Sequence, residues 1–394
     1  MKKFILNMLN VDAIMITVIA FIFMFFISEF VPSFSAITPS SQNNNSLSDI
    51  FARIDYQNSR KDTAFNIILV DMTDIYSRRD IAELLRKVHS YHPKMIGVDL
   101  SFFYHKDSSG TIEDDSILIQ AVKDVSRETV FVLELEDYSS ESNSFQSARH
   151  SFFADSVTIS EGFSNIKNNL DQNTVSFYRA SEYLGDKKVY SLTAEMLRKC
   201  DMLDINEEEE IPIDFSSTLF ITKDASNLTV DDIKGNFVLI GAAKSNDDIV
   251  KTPIGAMPGL LLQAYTLNSM LNKTEIVVVS KFVNILFCLI VCYLLSVVLV
   301  WSDRVLDEKN TAKSIFFKQS SLLPQICSAL WLLIIMLFSY VIYRGFNCYV
   351  NVFYAITILA ITVETRNLYS GAIAAISTKR RLRLFKNSIY NKRK

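Results

Sequence analysis

The chain has 394 residues, of which 49% are hydrophobic and 21% are charged, and its net charge is −3. Its mean hydropathy of +0.20 is rare for a soluble protein, so parts of the chain are expected to lie in lipid. Residues 32–280 contain 23 Lys and Arg against 37 Asp and Glu, whereas the remainder contains 17 against 6. The acidic middle part excludes a nucleic-acid-binding domain of overall positive potential, and no nucleic-acid partner is expected.

Four apolar segments predict four transmembrane α-helices, because each approaches or exceeds the ~20 residues that a helix needs to cross the bilayer core. They are residues 13–31, 282–301, 322–343 and 346–363. The first segment follows Lys2 and Lys3, as a signal peptide also would, but its length favours an uncleaved anchor.

The distribution of Lys and Arg predicts the orientation in the membrane. The N-terminus 1–12, the linker 302–321 and the tail 364–394 carry the basic excess, which places them in the cytoplasm. Both termini are then inside and residues 32–280 are outside, in a bacterial inner membrane. The tail mixes cations with apolar residues in 379–386, so three interpretations stay open: binding to anionic lipid, a plain topology signal, and docking to a cytoplasmic signalling protein.

Residues 37–275 are expected to form an α/β domain. Apolar β-branched runs predict strands over residues 65–70, 95–98, 130–135 and 237–240, and helical spacing predicts helices over residues 77–90, 115–125, 192–201 and 260–271, with Ser77 as the N-cap of the first. This alternation predicts a mostly parallel sheet with helices on both faces. Residues 138–230 are less regular, and only the 192–201 helix is predicted there with any strength.

Acidic residues at the ends of predicted strands are the main candidates for ligand binding. Asp71 and Asp99 each follow a strand, where they could hold a cation or polar ligand with Arg79 as counter-charge, or simply cap helices and pair with Arg79. Gly241 either allows a turn or brings backbone amides close to an anion. Asp248, ahead of Thr252, is either a turn residue or a further ligand contact.

Other kinds of site find little support in the sequence. Cys200 is alone in the predicted domain, so no disulfide framework is expected there. No nucleophile elbow, zinc motif or nucleotide-binding loop is present. The sequence therefore predicts no enzyme, no metal site and no cofactor.

Two blocks of sequence resemble a known family, the type-two CHASE domains, which are extracytoplasmic sensory domains. The blocks are Asn66–Asp71 with Pro93–Phe102, and Lys234–Gly241 with Asp248, Thr252–Ile254 and Met257–Gly259. The resemblance implies one span before the domain, about three after it, a homodimer, and an unknown small-molecule or envelope ligand. Family members often continue into a cytoplasmic output domain, whereas here only 364–394 follow the last predicted span.

The sequence thus favours a sensor without its own output domain, relaying an envelope signal to a separate cytoplasmic partner. The alternative is a scaffold subunit of a membrane or envelope complex that transmits no signal.

Overall fold

The computed structural model describes most of the chain, in two compact units. The described residues are 10–30, 47–58, 60–75, 77–104, 112–164, 174–203, 210–216, 218–244, 248–274, 276–309, 322–350 and 352–391. One unit comprises Ser41–Val277, and the other comprises Met1–Ser40 with Val278–Lys394. The predicted N-terminal lysines and most of the predicted linker 302–321 lie outside the described residues.

The elements are numbered in chain order. The helices are α1 (Val11–Phe30), α2 (Leu47–Asn58), α3 (Arg78–Ser90), α4 (Ile112–Val125), α5 (Leu192–Lys199), α6 (Val230–Ile233), α7 (Gly259–Asn272), α8 (Lys281–Lys309), α9 (Leu322–Phe346) and α10 (Val352–Asn391). The strands are β1 (Asp62–Asp71), β2 (Met95–Asp99), β3 (Thr129–Ser139), β4 (Ser144–Arg149), β5 (Ser160–Phe163), β6 (Phe177–Arg179), β7 (Ser181–Leu184), β8 (Lys187–Tyr190), β9 (Glu210–Pro212), β10 (Thr218–Asp224), β11 (Phe237–Gly241), β12 (Ile249–Thr252), β13 (Gly255–Pro258), β14 (Val277–Val278) and β15 (Cys348–Tyr349).

A mostly parallel sheet forms the centre of the Ser41–Val277 unit, as predicted. Among the described residues, β10, β1, β11, β2, β3 and β5 are parallel neighbours in that order. Strand β4 runs antiparallel to the second half of β3, and β7 and β8 extend the sheet beyond β4. Strand β11, which comes late in the chain, lies between β1 and β2. Strands β1 and β2 are therefore consecutive in sequence but not neighbours in the sheet.

Helices cover both faces of the sheet because successive strand residues point to opposite sides. Ile68 and Val70 of β1 face a core shared with α3, α4 and α6. Ile67 and Leu69 face a second core shared with α5 and α7. A strand buried on both sides must be apolar almost throughout, which explains the run in β1.

The strongest sequence signals give the observed helices and strands. Ser77 is the N-cap of α3, and its hydroxyl accepts a hydrogen bond from the Asp80 amide at 3.3 Å, as the sequence predicts. The predicted helices near α4, α5 and α7 and the predicted strands β1, β2, β3 and β11 are all present, with ends shifted by a few residues.

Residues 138–230, predicted to be less regular than the rest of the domain, contain strands that the sequence pattern did not indicate. This segment holds short strands, β4 to β10, whose polar residues hide the alternation that would mark them. Gly162 of β5 shows how tightly the segment packs: a Cβ there would lie 2.7 Å from the Cα of Leu192 and 2.8 Å from its amide nitrogen. Only glycine leaves room for the start of α5.

In the other unit, two helical segments of the described residues are long and apolar enough to cross a membrane. They are Phe282–Val305 and Gln325–Phe346, and Val11–Phe26 is apolar but shorter. The predicted spans 282–301 and 322–343 therefore coincide with such segments. The predicted number of four spans is not confirmed by this criterion.

Polar contacts connect the helices of this unit. Thr17 of α1 lies 3.3 Å from Ser296 of α8 through their hydroxyl oxygens. The guanidinium of Arg366 in α10 donates to Asp303 of α8 at 3.0 Å. The hydroxyl of Tyr369 in α10 donates to Asp12 of α1 at 2.9 Å. Side-chain hydrogen bonds thus join helices α1, α8 and α10, and an apolar environment strengthens such bonds.

Candidate functional site

Four residues lie in one row at the carboxyl edge of the parallel sheet. Three of them are predicted site residues, and the fourth, Asp224, is added by the structure. Register pairs Asp224 with Asp71, Asp71 with Gly241, and Gly241 with Asp99 on successive strands. From β1 the chain proceeds to α3 on one face, whereas from β11 it proceeds through β12 and β13 to α7 on the other face. In α/β proteins, ligands bind in a crevice at the strand ends where the connections diverge in this way.

Asp71 is buried and fully engaged by its own protein. Its carboxylate accepts hydrogen bonds from the Thr73 hydroxyl at 2.6 Å, the Thr73 amide at 3.2 Å and the Ala243 amide at 3.0 Å, and it lies 3.1 Å from Nζ of Lys244. Burial by itself would raise the pKa of Asp71, but these hydrogen bonds outweigh it and hold the pKa below its usual value. Four donors nearly exhaust the acceptor sites of a carboxylate. Asp71 therefore fastens the end of β1 to the segment after β11.

Asp99 has the opposite environment, although it ends a strand only two positions away in the sheet. Within the described residues its carboxylate accepts no hydrogen bond from another group. Burial, and secondarily the negative charge of Asp248, raise the pKa of Asp99 to about 7. A carboxyl of this kind changes its charge in the neutral range.

Asp248 reaches this region from the segment that enters β12. Its backbone carbonyl accepts a hydrogen bond from the Gly259 amide at 3.0 Å, at the start of α7. A Cβ on Gly259 would overlap the Asp248 carboxylate, so glycine at this position lets the side chain lie across the helix terminus. From this position the charge of Asp248 acts on Asp99.

Gly241 serves close packing in the structure. Its backbone lies in β11 outside the left-handed region. A Cβ there would be 3.0 Å from Leu260 and 3.1 Å from the Asp99 carbonyl oxygen. The backbone amide of nearby Ala243 donates a hydrogen bond to the Asp71 carboxylate. The sequence suggested that backbone amides in this region could approach an external anion, but this amide is already bonded to an internal carboxylate.

Arg79 does not provide the predicted counter-charge. Its guanidinium pairs with Glu113 at 3.3 Å and with Asp114 at 3.2 Å, because α3 packs beside α4. The counter-charge of Asp71 is Lys244, which also lies against Asp224 at 2.5 Å. Sequence reasoning missed Lys244, and the only signal for it was its position just beyond β11.

The comparison with protein families decides the classification. The family model of the CHASE2 domain matches residues 17–299, which cover the α/β unit and parts of the apolar helices on either side. The chain belongs to the CHASE2 family. CHASE2 domains are extracytoplasmic sensory domains, which is consistent with sensing by this domain. The two long apolar helical segments agree with membrane association. No curated protein and no solved structure matches the chain.

The side chains of the row differ in how far the protein itself engages them. Among the described residues, no group of three or more His, Cys, Asp or Glu side chains could hold a metal ion. Asp71 and Lys244 pair with one another, whereas Asp99 presents a carboxylate whose charge state responds to its surroundings.

Proposed function

We propose that this CHASE2 protein is a bacterial inner-membrane sensor that relays an envelope signal to a separate cytoplasmic protein, without catalysing a reaction itself. Residues 37–275 would lie outside, with both termini inside and four spans. Three of them are 13–31, 282–301 and 322–343, and the fourth, predicted over 346–363, would begin at Val352, where α10 starts. Membership of the CHASE2 family carries the proposal, because these domains are sensory.

The polar contacts among α1, α8 and α10 support spans before and after the domain. In lipid, such contacts stabilise helix association because the alternative is an unpaired polar group. Asp303 with Arg366 and Asp12 with Tyr369 would lie at the inner ends of these helices, next to the basic segments. The excess of Lys and Arg in the same segments supports a cytoplasmic location for them.

Helix α10 provides a route from the membrane to the partner. It runs without interruption over 40 residues, Val352–Asn391. At 1.5 Å per residue this is about 60 Å, roughly twice the thickness of the bilayer core. A shift of its apolar part therefore moves its basic part, 379–386, where a cytoplasmic signalling protein or anionic lipid would bind. A homodimer would place two such helices side by side.

On the outer side, the signal would be an unknown small-molecule or envelope ligand. In the crevice at the sheet edge, Asp99 and Asp248 are the side chains we propose to respond to it. Asp71 and Gly241 would shape the crevice, whereas Arg79, which pairs with Glu113 and Asp114 of α4, would not take part.

The partner proposal is tested by purifying the full chain from native membranes in mild detergent, with a tag after Lys394. We expect a cytoplasmic signalling protein in stoichiometric amount, identified by mass spectrometry. Replacing Lys379, Arg380, Arg381 and Arg383 by Gln is expected to reduce its recovery at least tenfold, because these charges contact it. A matched variant with Lys187, Lys188, Lys223 and Lys234 changed to Gln removes equal charge from the outer domain and should leave recovery unchanged.

The alternative function, a scaffold without signalling, predicts a different set of proteins. Recovery of envelope proteins alone, unaffected by the four substitutions in α10, would support the scaffold and contradict the relay.

A further inference from the structure

A cavity separate from the sheet edge lies between α2 and the hairpin of β12 and β13. Its volume is about 360 Å³, within the range of small-molecule sites. The α2 wall includes Asp49, Arg53 and Gln57, and the hairpin wall includes Lys251, Thr252 and Pro253. All of these residues belong to the Ser41–Val277 unit.

The charges of the cavity favour an anion. Arg53 and Lys251 stand on opposite walls, both exposed, and neither forms an ion pair within the described residues. Asp49, the only carboxylate among the described lining residues, is buried and accepts a hydrogen bond from the Ser176 hydroxyl at 2.7 Å. The protein itself therefore uses the negative group, while the two cations are available to a ligand.

The hairpin wall is rigid enough to hold a ligand in place. The Thr252 hydroxyl donates to the Gly255 carbonyl at 2.7 Å, and Pro253 is buried between them. Gly255 has a φ of +132°, which glycine adopts without a steric penalty and which lets the turn close on this hydrogen bond. A wall that is held in place before binding loses less entropy than a mobile one.

We propose that this cavity binds a small organic anion whose carboxylate or phosphate groups are held by Arg53 and Lys251. The inference rests on the proposed sensory function and names the chemistry of its signal. The α2 helix follows the first apolar helix in sequence, and the hairpin leads through α7 to the second. An anion between Arg53 and Lys251 draws these two elements together.

The test uses the full chain in mild detergent, with succinate and inorganic phosphate as probes. We expect at least one probe to raise the thermal midpoint of the domain in a saturable way, whereas sodium chloride at equal ionic strength and putrescine do not. Succinate without phosphate would indicate a carboxylate ligand, and phosphate without succinate a phosphate ligand. Arg53→Gln and Lys251→Gln are each expected to weaken binding at least tenfold.

The control is Arg60→Gln, which removes an exposed cation just beyond α2 and outside the cavity, and should leave binding unchanged. The proposal would be overturned if neither probe stabilises the domain in a saturable way up to about 10 mM, or if the Arg53 and Lys251 variants bind a probe as tightly as the parent does. Recovery of a cytoplasmic partner together with that negative result would refute this site while leaving the relay intact.

Discussion

Asp71→Asn is expected to lower the free energy of unfolding of the α/β domain by about 2–3 kcal/mol at neutral pH. The carboxylate accepts three hydrogen bonds and faces Lys244. The amide of Asn carries no charge, and its NH₂ group must face at least one of the groups that donate to the Asp71 carboxylate. The loss is measured as the shift in the urea midpoint of unfolding, with the full chain in mild detergent. The folded fraction at each urea concentration is read from the amount of the domain that survives a brief protease pulse.

Asp74→Asn is the matched control, since Asp74 is exposed and only three residues away. It should change the free energy by no more than about 0.5 kcal/mol. Because the pKa of Asp71 is lowered by folding, its contribution is present above the unfolded pKa and is lost as the pH falls through the folded value. An Asp71 variant as stable as the control would show that these contacts do not fasten β1.

Asp99→Asn is expected to have the opposite sign and to depend on pH. Folding raises the pKa of Asp99 from 3.8 to about 7, so its stabilising contribution is present below the unfolded value and is lost as the pH rises towards 7. At about pH 8 the folded domain must hold an ionised, poorly solvated carboxylate, which Asn avoids. We expect the variant to gain on the order of 2 kcal/mol over the parent between about pH 5 and pH 8.

The comparison uses the same urea measurement at both pH values, and only the difference between variant and parent is interpreted. Asp248→Asn is expected to reduce this pH dependence in part, because burial is the larger cause of the raised pKa and Asp248 the smaller. A constant difference between Asp99→Asn and the parent at both pH values would refute the assignment of a neutral-range carboxyl to Asp99.

The local signals in the sequence were sufficient for the main elements but not for their neighbours. The apolar run of β1 and the Ser77 cap of α3 are read from a few adjacent residues, and both are correct. The position of β11 between β1 and β2 depends on a connection of more than 130 residues, which no local pattern encodes. That position brings Lys244 to Asp71.

The same limit explains the site predictions. Strand ends correctly indicated Asp71 and Asp99 as members of one edge, because parallel strands end together. The opposite environments of the two aspartates arise from what packs on them: backbone amides and a lysine on Asp71, and Asp248 near Asp99. Arg79 was predicted to be the counter-charge of these aspartates, but α3 turns it towards α4.

The most direct test of the central claim, a sensory domain outside and a relay segment inside, is the labelling of single cysteines in intact spheroplasts. In a background with the five native cysteines changed to Ser or Ala, Ser140→Cys places a thiol at an exposed position of the α/β domain, and Ser388→Cys places one in the basic end of α10. A membrane-impermeant maleimide should label the Ser140 variant in intact spheroplasts and the Ser388 variant only after permeabilisation. Labelling of both positions from the same side would contradict the account.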